Sequence, residues 1–185
     1  MDDKLLEISK IAGDFKRLKR GGWIQHHATA DESVADHTWG LSFLVMMYTP
    51  AFLNKLKCLE LSVIHDLAET EVGDITPSDN ITPNEKLLRE TKAMNQIAAR
   101  LNEPYFLDLF NELEAQQTPE AQFVKELDKI EVVLQAYYFV SHGFMEPSVY
   151  QEYYNTSKGK IHLPYLIELF NKIVPDYRSI PLKGD

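Results

Sequence analysis

The 185-residue chain contains a single cysteine, Cys58, and no long apolar run. One cysteine excludes an intramolecular disulfide and any zinc site built from several thiolates. The longest apolar stretch, residues 41–48, is interrupted by Ser42 and is far shorter than the roughly 20 residues of a membrane-spanning helix. Acidic residues near the start exclude the basic beginning of a signal peptide. We therefore expect a soluble, cytoplasmic protein that makes no contact with membranes.

Positive charge is also scarce, because 19 lysines and arginines face 28 acidic residues, giving a net charge of −9. Affinity for a nucleic-acid polymer comes from many contacts between basic side chains and phosphates, so this balance argues against such a partner. Basic residues are nevertheless concentrated at Lys16, Arg17, Lys19 and Arg20. A local cluster of this kind can bind one small anion even on an acidic protein.

Apolar residues make up 44% of the chain, which is enough for one domain with its own core. They recur at three- and four-residue spacing, which is typical of helices, whereas no strand-like alternation extends beyond a few residues. The predicted fold class is therefore all-α, with a single domain over residues 1–185 and a polar C-terminal tail over about 175–185. The helical patterns cover residues 5–15 (ended by Gly21-Gly22), 34–48, 56–67, 83–101, 105–115, 119–137, 149–154 and 165–173.

Three of these helical patterns carry possible metal ligands. His65 and Asp66 follow an apolar helical pattern, His37 lies in the preceding one, and Asp128 lies beside the core-facing stripe of the longest. If the three helices pack together, the four side chains can converge on one ion. A set of imidazole and carboxylate ligands without thiolate suits Mn²⁺, Co²⁺, Fe²⁺ or Zn²⁺ better than Mg²⁺, and the sequence leaves the choice among those four open.

Each of these residues also has a simpler explanation when it is considered alone. A histidine such as His37 on a mixed helical face is more often a hydrogen-bonded structural residue than a metal ligand. Asp128 has lysines close by at 125 and 129, so a surface salt bridge explains it as well. His26 and His27 are interpreted as surface loop residues outside the metal site. Only the combination of motifs favours the metal site.

The combination resembles a known family. The segments ESVADH (32–37), HDLAE (65–69), VGDI (72–75) and FVKELDK (123–129) are similar, in the same order, to the successive motifs of the HD-domain superfamily. The wider context resembles the HD-domain 5′-deoxynucleotidase family from about residue 18 to residue 160. This resemblance implies an HD-type helical bundle with its core over those residues, and a homodimer.

The resemblance also implies chemistry. His37, His65, Asp66 and Asp128 match the positions that hold one divalent metal ion, and Glu69 and Asp74 match residues that handle water and protons beside it. The implied reaction is hydrolysis of deoxyribonucleoside 5′-monophosphates to deoxyribonucleoside and phosphate. Glu69 lies four residues after His65 and three after Asp66, which places it on the same side of a helix.

Substrate binding is predicted for Arg20 and Trp23. A guanidinium binds phosphate oxygens in pairs, and related enzymes have an arginine followed directly by a tryptophan that disfavours a 2′-hydroxyl. Here Gly21-Gly22 separates the two residues, which leaves the selection of deoxyribose open. The alternatives are that basic residues merely stabilise the carbonyl end of a helix and that Trp23 is a core anchor.

Two other functions stay open at this point. The same site in an HD-type triphosphohydrolase or phosphodiesterase would act on a different substrate, with a longer basic channel or a second metal site respectively. A non-catalytic binding module would use the metal only to tie helices together, but such a module has no use for Glu69 and Asp74.

Overall fold

A computed structural model describes residues 2–182 and contains no β-strand within them. The observed architecture confirms the predicted all-α class. The α-helices are α1 (Asp3–Arg17), α2 (Gly21–Gln25), α3 (Val34–Tyr48), α4 (Lys55–Ile64), α5 (Glu69–Val72), α6 (Pro83–Leu101), α7 (Tyr105–Ala115), α8 (Pro119–Ser141), α9 (Pro147–Lys158) and α10 (Pro164–Phe170), with short 3₁₀ turns at Pro77–Asp79 and Tyr177–Ser179.

Local signals determine where the functional helices begin. Ser33 caps α3 by accepting a hydrogen bond from the Asp36 backbone N–H, and the Asp36 carboxylate accepts from the Ser33 N–H at 2.9 Å. Thr118 caps α8 in the same way and is followed by proline at the first helical position. Such caps satisfy backbone donors that have no partner within the helix. The starts of the two helices that carry His37 and Asp128 are therefore encoded locally.

Helix α8 runs through the centre of the molecule and packs against α3, α4, α7 and α9. Its apolar residues Phe123 and Leu127 are fully buried, as are Leu41 of α3 and Leu61 of α4. Burying side chains of this size supplies about 1.5–3 kcal/mol each. The packing also brings together the three helices that were predicted to carry metal ligands.

The structure differs from the sequence analysis at Gly21-Gly22, which was predicted to end the first helix. Helix α1 ends earlier, at Arg17, and the two glycines instead begin α2. The backbone N–H of Gly21 donates to Asp74 Oδ2 at 2.8 Å, and a Cβ there would lie 2.7 Å from Thr76 Cγ2. The glycine allows this close approach between segments more than fifty residues apart, which local sequence patterns do not reveal.

The helical pattern predicted over 56–67 is also interrupted. Helix α4 ends at Ile64 and α5 begins at Glu69, so His65 and Asp66 lie in the bend between them. Gly73 then turns the chain with a φ of +82°, a conformation that favours glycine, and Asp74 follows directly. These changes of direction place successive polar side chains around one point.

The described part of the predicted polar tail packs against the domain. Ile180 is buried, and the 3₁₀ turn at Tyr177–Ser179 contacts α9. Residues 183–185 of the tail lie outside the described residues. Within residues 2–182, no helix is both long enough and apolar enough to cross a bilayer.

Candidate active site and metal centre

The imidazoles of His37 and His65 and the carboxylate of Asp128 meet where α3, the bend after α4, and α8 come together. Nε2 of His37 lies 3.1 Å from Nε2 of His65 and 3.1 Å from Oδ1 of Asp128. All three residues are buried, and one donor atom from each lies within 4.8 Å of the others. These spacings allow the three side chains to share one ion.

Asp66 completes this group from the neighbouring position in the bend. Its Oδ2 lies 3.0 Å from Nε2 of His65 and 3.7 Å from Nε2 of His37. The same oxygen is 3.5 Å from Nη1 of Arg20. The structure therefore brings together all four residues that were predicted as ligands, although their role as ligands stays a prediction.

Hydrogen bonds orient both histidines. Nδ1 of His37 lies 2.5 Å from Oε2 of Glu131, and Nδ1 of His65 lies 2.7 Å from the carbonyl oxygen of Ser62. An N–H at Nδ1 leaves the Nε2 lone pair free to bind a cation. Both Nε2 lone pairs are then available in the space between the two rings and Asp128, as a metal site requires.

The cluster favours positive charge at its centre. Burial and Arg20 act to lower the pKa of His37, but Glu131 and Asp128 outweigh them and raise it to about 10. Although burial opposes ionisation of Asp66, the histidines and Arg20 hold the pKa of its carboxyl far below the usual range. A metal ion and a proton would compete for the space between these side chains, so metal binding there would release a proton.

A cavity of about 560 Å³ opens beside the cluster, and Asp66, Glu69, Asp74 and Asp128 all line it. Glu69 is only 2% exposed, and among residues 2–182 no hydrogen-bond partner lies within reach of its Oε2. Burial, followed by the charges of Asp66 and Asp74, raises the pKa of Glu69 well above its usual range. A buried carboxyl group with an unused oxygen is suited to water and proton transfer.

Asp74 is held more tightly than Glu69. Its Oδ2 accepts from the N–H of Gly21 and lies 3.6 Å from Nη1 of Arg20. The loop that follows is ordered by Thr76, whose N–H donates to Asp79 Oδ2 at 2.7 Å. Lys86 of α6 donates to the carbonyl oxygen of Ile75 at 3.2 Å. Asp74 thus lies at the cavity wall and also orients Arg20.

The two residues predicted to bind substrate have different surroundings. Arg20 lines the cavity, whereas Trp23 does not and is only 4% exposed. The Trp23 ring packs against Phe139 and Tyr153, and its Nε1–H donates to the buried carboxylate of Glu32. These contacts correspond to the core-anchor alternative for Trp23. Tyr153, rather than Trp23, forms the aromatic part of the cavity wall.

The backbone of Arg20 is hydrogen-bonded to the segment just before α3. Its N–H donates to the carbonyl oxygen of Glu32 at 3.0 Å, within a short antiparallel contact between Lys19 and Ser33. The segment before α2 is thereby attached to the start of α3, which carries His37. This attachment explains why a guanidinium from the N-terminal part of the chain reaches the cluster of His37, His65, Asp66 and Asp128.

Several residues near the site were missed by the sequence analysis. Glu131 lies three positions after Asp128, a helical spacing that places both on one side of α8 and would have identified it. His26 was interpreted as a surface residue, yet it lines the cavity and packs edge-on against Tyr153. Tyr153 and Lys86 belong to helices outside every motif, so no local signal marked them.

Comparison with known proteins defines the class. A family model described as "HD domain" matches residues 12–165. The chain therefore belongs to the HD domain family, which confirms the resemblance seen in the sequence. HD-domain phosphohydrolases depend on metal ions, and the cluster of His37, His65 and Asp128 is a possible site for one.

Individual relatives carry more specific names. The chain is 37% identical to the human "5′-deoxynucleotidase HDDC2" over 174 residues, which cover 91% of this chain and 84% of the relative. It is 38% identical to the Schizosaccharomyces pombe "5′-deoxynucleotidase hdd1" over 144 residues, covering 72% and 73%. A conserved hypothetical protein from Pyrococcus furiosus superposes with a TM-score of 0.74 at 26% identity, covering 90% and 97%.

The buried Glu32 behind Trp23 predicts a pH-dependent stability. Burial, and then the nearby charge of Glu131, raises the pKa of Glu32 to about 7. The folded state therefore binds a proton more tightly than the unfolded chain, so this carboxyl's contribution to stability is present at low pH and is lost as the pH rises towards about 7. In chelator-treated protein, the stability of Glu32→Gln relative to the parent should increase by about 2 kcal/mol between pH 5 and pH 8.

Urea unfolding followed by circular dichroism measures this difference. The control, Glu146→Gln, removes one charge from an exposed position and should show a much smaller change with pH. A difference between Glu32→Gln and the parent that stays constant across this range would contradict the prediction.

Proposed function

We propose that this chain is a metal-dependent 5′-deoxynucleotidase, a phosphoric monoester hydrolase that converts deoxyribonucleoside 5′-monophosphates to deoxyribonucleoside and phosphate. The observation that carries the proposal is the meeting of His37, His65, Asp66 and Asp128 beside a cavity where Oε2 of the buried Glu69 has no hydrogen-bond partner among residues 2–182. The names of the relatives, which match most of the chain, support the substrate class.

The four side chains fit one divalent cation. Two neutral imidazoles and two carboxylates balance its charge, and the ligand types suit Mn²⁺, Co²⁺, Fe²⁺ or Zn²⁺ better than Mg²⁺. When bound, the cation would act as a Lewis acid towards water and a phosphate oxygen. Lys129 supports this set from outside, because its Nζ donates to Oδ2 of Asp128 at 2.6 Å and leaves Oδ1 facing His37.

Glu69 and Asp74 handle protons in this proposal. Glu69 is close enough to Lys86, at 3.9 Å, to be kept in position while its other oxygen remains available to a water molecule. A positioned base of this kind raises the nucleophilicity of water, and an acid assists the departing 5′-alkoxide. We assign these two roles to Glu69 and Asp74 together, since both carboxyl groups line the cavity beside the proposed ligands.

Arg20 binds the phosphate in this proposal. Its guanidinium is mostly buried at the cavity wall, between Asp66 and Asp74. Those two carboxylates hold the planar fork in one orientation, and a fixed fork can donate two parallel hydrogen bonds to phosphate oxygens. The cavity volume of about 560 Å³ falls in the range of roughly 300–1,000 Å³ typical of small-ligand sites.

The charge pattern favours a monophosphate over a triphosphate. Four lysines line the cavity, but three of them are already paired with acids: Lys86 with Glu90, Lys125 with Glu114, and Lys129 with Asp128. Within the described residues, one cluster of ligand-type side chains meets the spacing of a metal site. A phosphodiesterase with two metal ions would need a second cluster of ligands. The free Glu69 oxygen argues against a non-catalytic module.

We also propose that residues 1–185 form a single HD domain, with its core over about 18–160, because the family model covers a similar range. A homodimer is proposed from an exposed apolar face on and after α3. Its members are between 50% and 73% exposed: Trp39, Phe43, Met46, Met47, Phe52 and Leu56. An apolar face of this extent typically marks an interface, and a second copy supplies a face of the same character.

The catalytic role of Glu69 predicts a large effect of Glu69→Gln. Phosphate release from metal-loaded protein should occur with deoxyribonucleoside 5′-monophosphates, and the substitution should lower kcat by about 10²–10⁴ because proton transfer by this carboxyl group is lost. Metal content should not change, because Glu69 is not among the proposed ligands. Phosphate release and metal analysis on the same samples separate these effects.

Glu71→Gln is the matched control, since Glu71 lies on the same short helix but is exposed and pairs with Arg100. It should retain the parent activity. Metal binding without hydrolysis of any nucleotide would favour the binding module instead. Release of pyrophosphate or triphosphate from nucleoside triphosphates would favour the triphosphohydrolase.

The proposed dimer predicts that Phe43→Glu is monomeric. Phe43 stacks on Trp39 with ring centroids 5.6 Å apart, and a buried charge at that position would oppose association. Light scattering after size-exclusion chromatography should give the dimer mass for the parent and the monomer mass for the variant. Leu88→Glu, on the exposed surface of α6, should remain dimeric. A monomeric parent protein would overturn the proposal.

A further inference from the structure

Glu131 contacts a proposed metal ligand from outside the cavity. Its Oε2 lies 2.5 Å from Nδ1 of His37, and both side chains are buried. His65 uses a backbone carbonyl oxygen for the same purpose, so Glu131 is the carboxylate that orients a histidine of the cluster. Glu131 does not line the cavity and is therefore not placed to touch substrate.

Gly40 provides the space that Glu131 occupies. It lies on α3 one turn after His37, facing α8. A Cβ at position 40 would lie 2.5 Å from Oε1 and 3.3 Å from Cδ of Glu131. Any larger residue at this position would therefore displace the carboxylate of Glu131. The carboxylate cannot move away freely, because its Oε2 is hydrogen-bonded to His37. Glu131 can therefore occupy its position only because residue 40 is a glycine.

We infer that Glu131 is a positioning residue for the metal centre, which holds the His37 ring with Nε2 towards the other ligands, and that Gly40 is the small residue that admits it. A carboxylate that accepts the Nδ1–H fixes the tautomer and orientation of a ligating histidine and increases its basicity. Helix α8 thus carries both Asp128, a proposed ligand of the ion, and, one turn later, Glu131, which orients His37. The inference rests on the proposed metal site but not on the nucleotide substrate.

Gly40→Ala tests the inference without changing any charge. The added methyl group should move Glu131 away from His37 and weaken Co²⁺ binding by about 10–100-fold, the usual cost of losing such a partner. Calorimetric titration measures the affinity, and the visible absorption of bound Co²⁺ should change because the His37 ring is no longer fixed. Gly13→Ala is the matched control, because Gly13 is also helical and a methyl group added there would meet no atom within 4 Å.

A double-mutant cycle separates positioning from a general disturbance of α3. In a Glu131→Ala background the clash is absent, so adding Gly40→Ala should cost no further Co²⁺ affinity. Glu131→Gln, which keeps the size of the side chain, should weaken Co²⁺ binding while circular dichroism and the unfolding midpoint confirm that it folds.

Two outcomes would overturn the inference. One is parent-like Co²⁺ affinity and absorption in folded Gly40→Ala and Glu131→Gln. The other is an equal loss on adding Gly40→Ala with and without Glu131. Because Co²⁺ binding is measured without nucleotide, a failure of the proposed hydrolysis would leave this result unchanged.

Discussion

Burial of several carboxylates at one point is the constraint on which the rest of the structure depends. Asp66, Asp128, Glu69 and Glu131 are all largely or fully withdrawn from water around the two histidines. Ionised groups in such a place are very costly unless positive charge compensates them. Arg20 supplies one such charge, and the centre between the imidazoles attracts another. A bound divalent cation would satisfy this requirement, and the raised pKa of His37 shows that a proton is favoured at the same place.

The fold meets the constraint by joining distant parts of the chain. The segment before α2 is attached to the start of α3 through Arg20 and Glu32, and the bend between α4 and α5 turns His65 and Asp66 towards the same point. Gly21 and Gly40 have no side chain, and this allows neighbouring segments to approach closely at both positions. The site is therefore a property of the helix packing, and small changes in that packing would directly alter the distances among His37, His65, Asp66 and Asp128.

Local signals in the sequence predicted the helices well. Helix α3 has the predicted bounds because Ser33 caps its start and Pro50 follows its end, and α6 has the predicted bounds because Thr82 caps its start and proline follows at the first helical position. The motifs also selected the four residues that meet at the cluster. What escaped prediction depends on long-range contacts. The bond between His37 and Glu131 spans 94 positions, and the rings of Phe139 and Tyr153 that pack against Trp23 come from α8 and α9. The spacing of apolar residues along the sequence does not predict contacts between residues so far apart.

We propose that a single metal ion binds among His37, His65, Asp66 and Asp128. Crystals of the Co²⁺-loaded protein, measured at the cobalt absorption edge, test it most directly through the anomalous difference map. We expect one strong peak per chain, within coordination distance of Nε2 of both histidines and of an oxygen from each aspartate. An empty cluster in protein that contains cobalt elsewhere, or a peak that lacks these four contacts, would contradict it.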